Sequence, residues 1–178
     1  MARSNHKSKR IIKLTVVIII FFAIYFISHI FIQKVSVTTL SMNPLLKEGD
    51  SILVDKISYD FYAPKRFDII AYRTEDKNQI VYGRIIALPK ETVSFKDGEI
   101  YIEDKILVEN YGQNKKEEIT FSSSDALILG EDEYFVLGDN RTMSVNKQSF
   151  FAISETDIIG KAWIKIWPFS ELSILKHQ

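Results

Sequence analysis

Residues 80–102 read IVYGRIIALPKETVSFKDGEIYI. Three short runs rich in β-branched and aromatic side chains, Ile80 to Leu88, Thr92 to Phe95 and Glu99 to Ile102, are parted by turn signals. Runs of this kind bounded by turn residues read as strands. Lys96-Asp97-Gly98-Glu99 reads as a tight hairpin, because Asp-Gly tolerates the positive φ angles such a turn needs. Outward from this segment the pattern repeats at Val35 to Thr39, Ser51 to Asp55, Asp68 to Tyr72, Glu133 to Leu137 and Ile158 to Ile166. No long segment of the body carries a 3.6-residue period, so the body is expected to be mainly β. The stretch from Glu103 to Glu131 is polar and poorly periodic; it reads as loops or an inserted flap without chemistry. No internal repeat and no Pro- or Gly-rich linker divides the body.

Toward the N-terminus the character changes. Leu14 to Ile32, LTVVIIIFFAIYFISHIFI, holds no formal charge. At 1.5 Å per residue it is long enough for a hydrocarbon core of roughly 30 Å, so a single transmembrane helix is expected over 14–33. A cleavable secretory signal has a shorter apolar core, about 7–15 residues, and ends in a small-residue cleavage site that is missing here. Arg3, Lys7, Lys9, Arg10 and Lys13 precede the run, whereas Lys34 alone lies just after it. The positive-inside rule then puts the N-terminus in the cytoplasm and the body outside. The expected organisation is a basic cytoplasmic tail over 1–13, the span over 14–33 and an extracytoplasmic β domain over 34–178, in a single-pass protein of the cell membrane.

Composition removes several chemistries. The 178 residues contain 23 basic and 23 acidic side chains, yet the residues after the N-terminal tail hold 18 basic against 23 acidic. A nucleic-acid binder gathers its basic surplus on the folded domain, so no nucleic-acid partner is expected. There is no cysteine, which excludes thiol catalysis, disulfides and thiolate metal sites. The histidines are His6, His29 and His177, in the basic tail, the apolar run and the last two residues. A Ser-His-Asp triad or a histidine zinc site would need a histidine inside the polar body. No metal and no organic cofactor is implied, and any hydrolysis needs another base.

Three motifs carry the functional reading: Ser41-Met42-Asn43-Pro44 just beyond the apolar run, Tyr82-Gly83-Arg84-Ile85-Ile86-Ala87-Leu88-Pro89 in a strand, and Gly138-Asp139-Asn140-Arg141 followed by Ser144. Read apart, the first is a strand-ending turn and the last a β-turn. In this order behind one N-terminal anchor, they resemble the type I signal peptidase family, particularly its short Gram-positive members, over nearly the whole chain. The resemblance implies a signal-peptidase-like β-sheet domain. It implies Ser41 as nucleophile, Met42 and Pro44 as substrate-binding flanks, Gly138, Asp139, Asn140 and Arg141 as a structural box, and Ser144 as the residue that orients the general base. That base is a lysine, which can lose its charge when buried among apolar groups and so replaces histidine.

The same comparison exposes the departures. Gly83 stands where active members carry the lysine, and glycine has no proton acceptor. General-base assistance is worth about 10²–10⁴-fold, so Ser41 is left a weak nucleophile. Leu40 and Leu45 replace the glycine and threonine that commonly flank the motif, and Asn146, Lys147 and Gln148 replace an aspartate, a serine and an arginine. Two functions follow from different classes. In the first, the protein binds precursors of secreted or surface proteins, pilins among them, at the outer face of the bilayer, as an assembly accessory with little or no peptidase activity. An extended segment would be held by strand addition, which needs no base. In the alternative it is an active signal peptidase, a serine endopeptidase that removes signal peptides, with Lys147 or Lys90 as an unusual base. The expected partners are a signal peptide or surface-protein precursor and the lipid bilayer.

Overall fold

The computed structural model describes residues 3–74, 79–96, 98–111, 126–141 and 152–177. Two compact units emerge, residues 1–33 and residues 34–178. The first is a single helix, α1 (Arg3–Phe31), of 29 residues. No proline or glycine interrupts it, and consecutive apolar residues from Val16 to Phe22 are all exposed. A run of seven exceeds one turn, so apolar side chains cover every face of this stretch. Among the described residues no helix is long and apolar enough to cross a membrane.

The second unit is built from strands: β1 (Ile32–Ser36), which begins in the last residues of the first unit, β2 (Ser51–Asp55), β3 (Ile69–Arg73), β4 (Ile80–Ala87), β5 (Thr92–Lys96), β6 (Glu99–Ile102), β7 (Lys105–Ile106), β8 (Leu127–Ile128), β9 (Glu133–Leu137), β10 (Ala152–Ser154), β11 (Ile158–Trp167) and β12 (Ser173–Ile174). A one-turn helix, α2 (Ser58–Phe61), follows β2. The larger sheet runs β1-β2-β11-β3-β4-β9-β10, with β12 added to β11; the smaller runs β7-β6-β5-β8. The mainly β expectation holds.

Alternation along β3 and β4 sorts the core into faces. Ile69, Ala71 and Tyr82 point into one cluster with Val35, Val37, Met42, Leu46, Ile52 and Leu175. Ile70 and Ile85 point the other way, into a cluster with Tyr134 and Val136. A third cluster joins Ile86, Phe135 and Leu137 to Val93, Ile100 and Ile102 of the smaller sheet.

Several strand limits differ from expectation for local reasons. β1 ends at Ser36 rather than Thr39 because Val37 turns to bond Asp50 and Gly49. The hairpin forms with Lys96 paired to Glu99 and Gly98 at φ +77°; Asp97 lies outside the described residues. The expected loop from Glu103 to Glu131 contains β7 and β8, with 112–125 outside the described residues.

Candidate functional site

Ser41 sits on a turn that leaves β1 and returns at β2. Its base is closed by Val37 N–H to the Asp50 carbonyl (2.8 Å) and Gly49 N–H to the Val37 carbonyl (2.9 Å). Gly49 has φ +89°, a left-handed conformation that side chains other than glycine rarely take. Asp50 accepts from Lys47 N–H at 2.9 Å and pairs with the buried Lys165 at 2.7 Å. Met42 and Leu46 are fully buried in the first core cluster. Met42 therefore contributes through its placement of the turn; Pro44 stays exposed, after a cis Asn43-Pro44 bond.

The turn docks on β4. β9 accompanies β4 only as far as Arg84, which pairs with Leu137, and beyond that point the Ser41 turn takes up the free edge. Ser41 Oγ donates to the Tyr82 carbonyl at 3.2 Å and lies 3.0 Å from Thr39 Oγ1. With its single proton on the carbonyl, Ser41 accepts from Thr39. The hydroxyl thus lies against the residue preceding Gly83, and two motifs far apart in sequence meet. Among the described residues no titratable group hydrogen-bonds Ser41 Oγ. Thr39 went unnoticed in the sequence, where a hydroxyl two residues before Ser41 was the available signal.

Gly83 itself is paired with Ile70 in the middle of β3–β4. A Cβ built on it would lie well inside van der Waals contact distance of Val136 Cγ1 and 3.2 Å from Tyr72 Cε1. The position lacks a base and its space is taken. Lys90 pairs with Glu131 at 3.0 Å and is exposed, so its ammonium stays in water. Ser144, Asn146, Lys147 and Gln148 lie outside the described residues.

The Gly138 to Arg141 box holds the turn. Asn140 N–H donates to the Ser41 carbonyl at 2.8 Å, and its side-chain amide donates to the Leu40 carbonyl at 3.2 Å. Asp139 accepts two hydrogen bonds from Arg84, 2.8 and 2.7 Å, and both side chains are 3% exposed. The remaining Arg84 nitrogen, Nη1, donates to the Phe67 carbonyl at 3.1 Å. A buried charge pair needs this satisfaction to be tolerated. Arg141 donates from Nε to the Gly138 carbonyl at 3.0 Å and pairs with Glu109. Tyr111 donates to Glu109 at 2.8 Å and lays its ring 4.0 Å from Arg84 Cζ. Burial first, then the Glu109 charge, raise the pKa of the Tyr111 hydroxyl, which stays protonated.

His177, expected to lie outside the polar body, is folded into it. Its Nδ1 accepts from Ile69 N–H at 3.0 Å, beside Asp68 at 3.6 Å. Burial and then the Lys161 charge push its pKa down to about 4, against the opposing pull of Asp68. The ring is neutral near pH 7 and engaged at β3. Among the described residues no group of histidines and acids could hold a metal ion.

With this geometry established, comparison with known proteins is informative. A family profile described as signal peptidase, peptidase S26, matches residues 8–167. The chain is similar to signal peptidase I V of Bacillus subtilis, 34% identical over 68% of this chain and 77% of the relative. It is also similar to inactive signal peptidase IA of Staphylococcus aureus, 32% identical over 75% of this chain and 78% of the relative. A crystal structure of a signal peptidase I from Enterococcus faecalis V583 aligns at 32% identity over 56% of this chain and 97% of that one, TM-score 0.44.

Proposed function

The chain belongs to the signal peptidase, peptidase S26, family, and from that premise we propose that it is a membrane-anchored member that holds precursors of secreted or surface proteins and cuts them little or not at all. The observation that carries this reading is at Gly83: among the described residues no titratable group hydrogen-bonds Ser41 Oγ, and Val136 occupies the space in which a side chain at 83 would begin. The Ser41 turn, its carbonyl contacts and the Arg84–Asp139 pair are nonetheless built in full. A scaffold kept without its base suits recognition by main-chain hydrogen bonds. The inactive Staphylococcus aureus relative is in keeping with this reading. In its finer form the proposal puts Leu14 to Ile32 across the membrane with the N-terminus in the cytoplasm. The body then works at the outer face as an assembly accessory for signal-peptide-bearing or pilin-type precursors.

The retained Ser41 hydroxyl, presented at the edge of β4 with Thr39 beside it, favours a second reading as an active peptidase with Lys147 as base. One assay separates the two. Wild type, Ser41→Ala, Gly83→Lys and Gly83→Lys with Val136→Ala are each given a membrane-presented signal-peptide substrate, and the products are identified by mass while co-purifying precursor is quantified. The expected result is retained precursor without cleavage in wild type and Ser41→Ala, and cleavage first in the double variant. Wild-type turnover abolished by Ser41→Ala would overturn the binding reading.

A further inference from the structure

Glu109 and Tyr111 lie in the polar stretch after β7, where the sequence suggests no chemistry, yet they meet the box that holds Ser41. Tyr111 covers the face of Arg84 at 4.0 Å while Arg84 grips Asp139 with Nε and Nη2. The same ring lies 5.9 Å from Arg141 Cζ, and Arg141 pairs with Glu109. The Tyr111 hydroxyl closes the circuit onto Glu109 at 2.8 Å. Asp139 and Arg141 are the two neighbours of Asn140, so both flanks of Asn140 are held by one cluster, and Tyr111 is the member common to both arms. Asn140 in turn carries the carbonyls of Leu40 and Ser41.

We propose that Tyr111, seated by Glu109, is a positioning residue for the Ser41 turn: it fixes the planes of Arg84 and Arg141, through them Asn140, and through Asn140 the main chain at Ser41. A guanidinium over a ring is attracted by the ring quadrupole, the more so when water is excluded. A hydrogen bond to an ionised carboxylate is the stronger kind. Asn140 holds the Leu40 and Ser41 carbonyls through its side-chain amide and its backbone N–H, so a small rotation of its backbone disturbs both bonds. Where this bears on precursor affinity, it rests on the reading that the protein holds precursors.

The absence of cysteine supplies the test. Ser41→Cys installs a single thiol in the full-length, detergent-solubilised protein, and its rate of alkylation by iodoacetamide reports how firmly the turn is held. In that background Tyr111→Leu and Glu109→Gln are expected to raise the rate by about tenfold, the effect of losing one contact of this class. Tyr111→Phe, which keeps the ring over Arg84 and loses only the bond to Glu109, is expected to recover part of the parent rate. Melting temperatures recorded alongside are expected to fall modestly in Tyr111→Leu and Glu109→Gln and to recover in Tyr111→Phe. Unchanged alkylation in both Tyr111→Leu and Glu109→Gln would overturn the proposal. So would an increase that tracks a fall in melting temperature and is not rescued by phenylalanine. Glu109→Gln is nearly isosteric and keeps the test open should Tyr111→Leu fail to fold. Alkylation needs no precursor, so failure of precursor binding in the parent protein would count against the binding reading alone.

Discussion

At Gly83 the neighbour, not the backbone, excludes a side chain. The residue sits in regular strand pairing with Ile70, outside the left-handed region that Gly49 and Gly98 occupy. Val136 is β-branched and has few rotamers available, and it packs with Ile70, Ile85 and Tyr134. Gly83→Lys is therefore expected to destabilise the fold by about 1–3 kcal/mol, the usual range for overpacking. Adding Val136→Ala is expected to recover part of that loss. Denaturant unfolding of the two variants against wild type measures both numbers. A single substitution that unfolds like wild type would mean that Val136 turns aside without cost. The motif at 82–89 and the glycine within it were legible in the sequence, because residue type alone decides them. The crowding by Val136 was not, since it depends on the register that sets Ile85 opposite Val136.

Among the elements, the segment from β12 to His177 is the least conspicuous in sequence and among the best anchored. Ser173 and Ile174 pair with Lys165 and Ile164, Leu175 N–H donates to the Trp163 carbonyl at 2.8 Å, and Leu175 is buried in the core. His177 then caps the Ile69 N–H. A two-residue strand is too short to show any alternation, and for the same reason β7, β8 and β10 escaped a reading that found β2, β6 and β9 at their observed limits. The pKa of His177 is about 4 in the folded protein and near 6.5 as a free side chain. The folded state thus binds fewer protons than the unfolded one. The contribution of His177 is fully present above about pH 6.5 and is lost as the pH falls toward 4. Protonation would also turn Nδ1 into a donor facing another donor. Melting temperature is expected to fall between pH 7 and pH 4.5 in wild type, and to fall less in His177→Gln, whose amide oxygen can still accept from Ile69. Equal slopes in the two proteins would remove His177 from the acid response.

For the whole molecule, the two units pose separate questions. The body is a pair of antiparallel sheets whose mainly β character was readable from runs of β-branched residues and Asp-Gly punctuation. The joining of the Ser41 turn to β4 was readable only as motif order, because a hydrogen bond between Ser41 and a main-chain carbonyl leaves no mark on residue type. Topology is open to direct measurement. In protease-treated intact spheroplasts, the body over 34–178 is expected to be digested and an N-terminal tag to be protected, as the uneven basic charge on either side of 14–32 demands. Protection of the body with loss of the tag would reverse the orientation.

The Val136 methyl beside Gly83 also limits the order of substitutions open at this position. A lysine placed at 83 meets a filled space, whereas a smaller residue at 136 with glycine retained leaves a void. Each step alone lowers stability, and only the two together could give room for an amine. An amine at 83 is therefore reached only by way of a chain less stable than the one at the start, and the Val136 side chain sets the order in which the two positions can change.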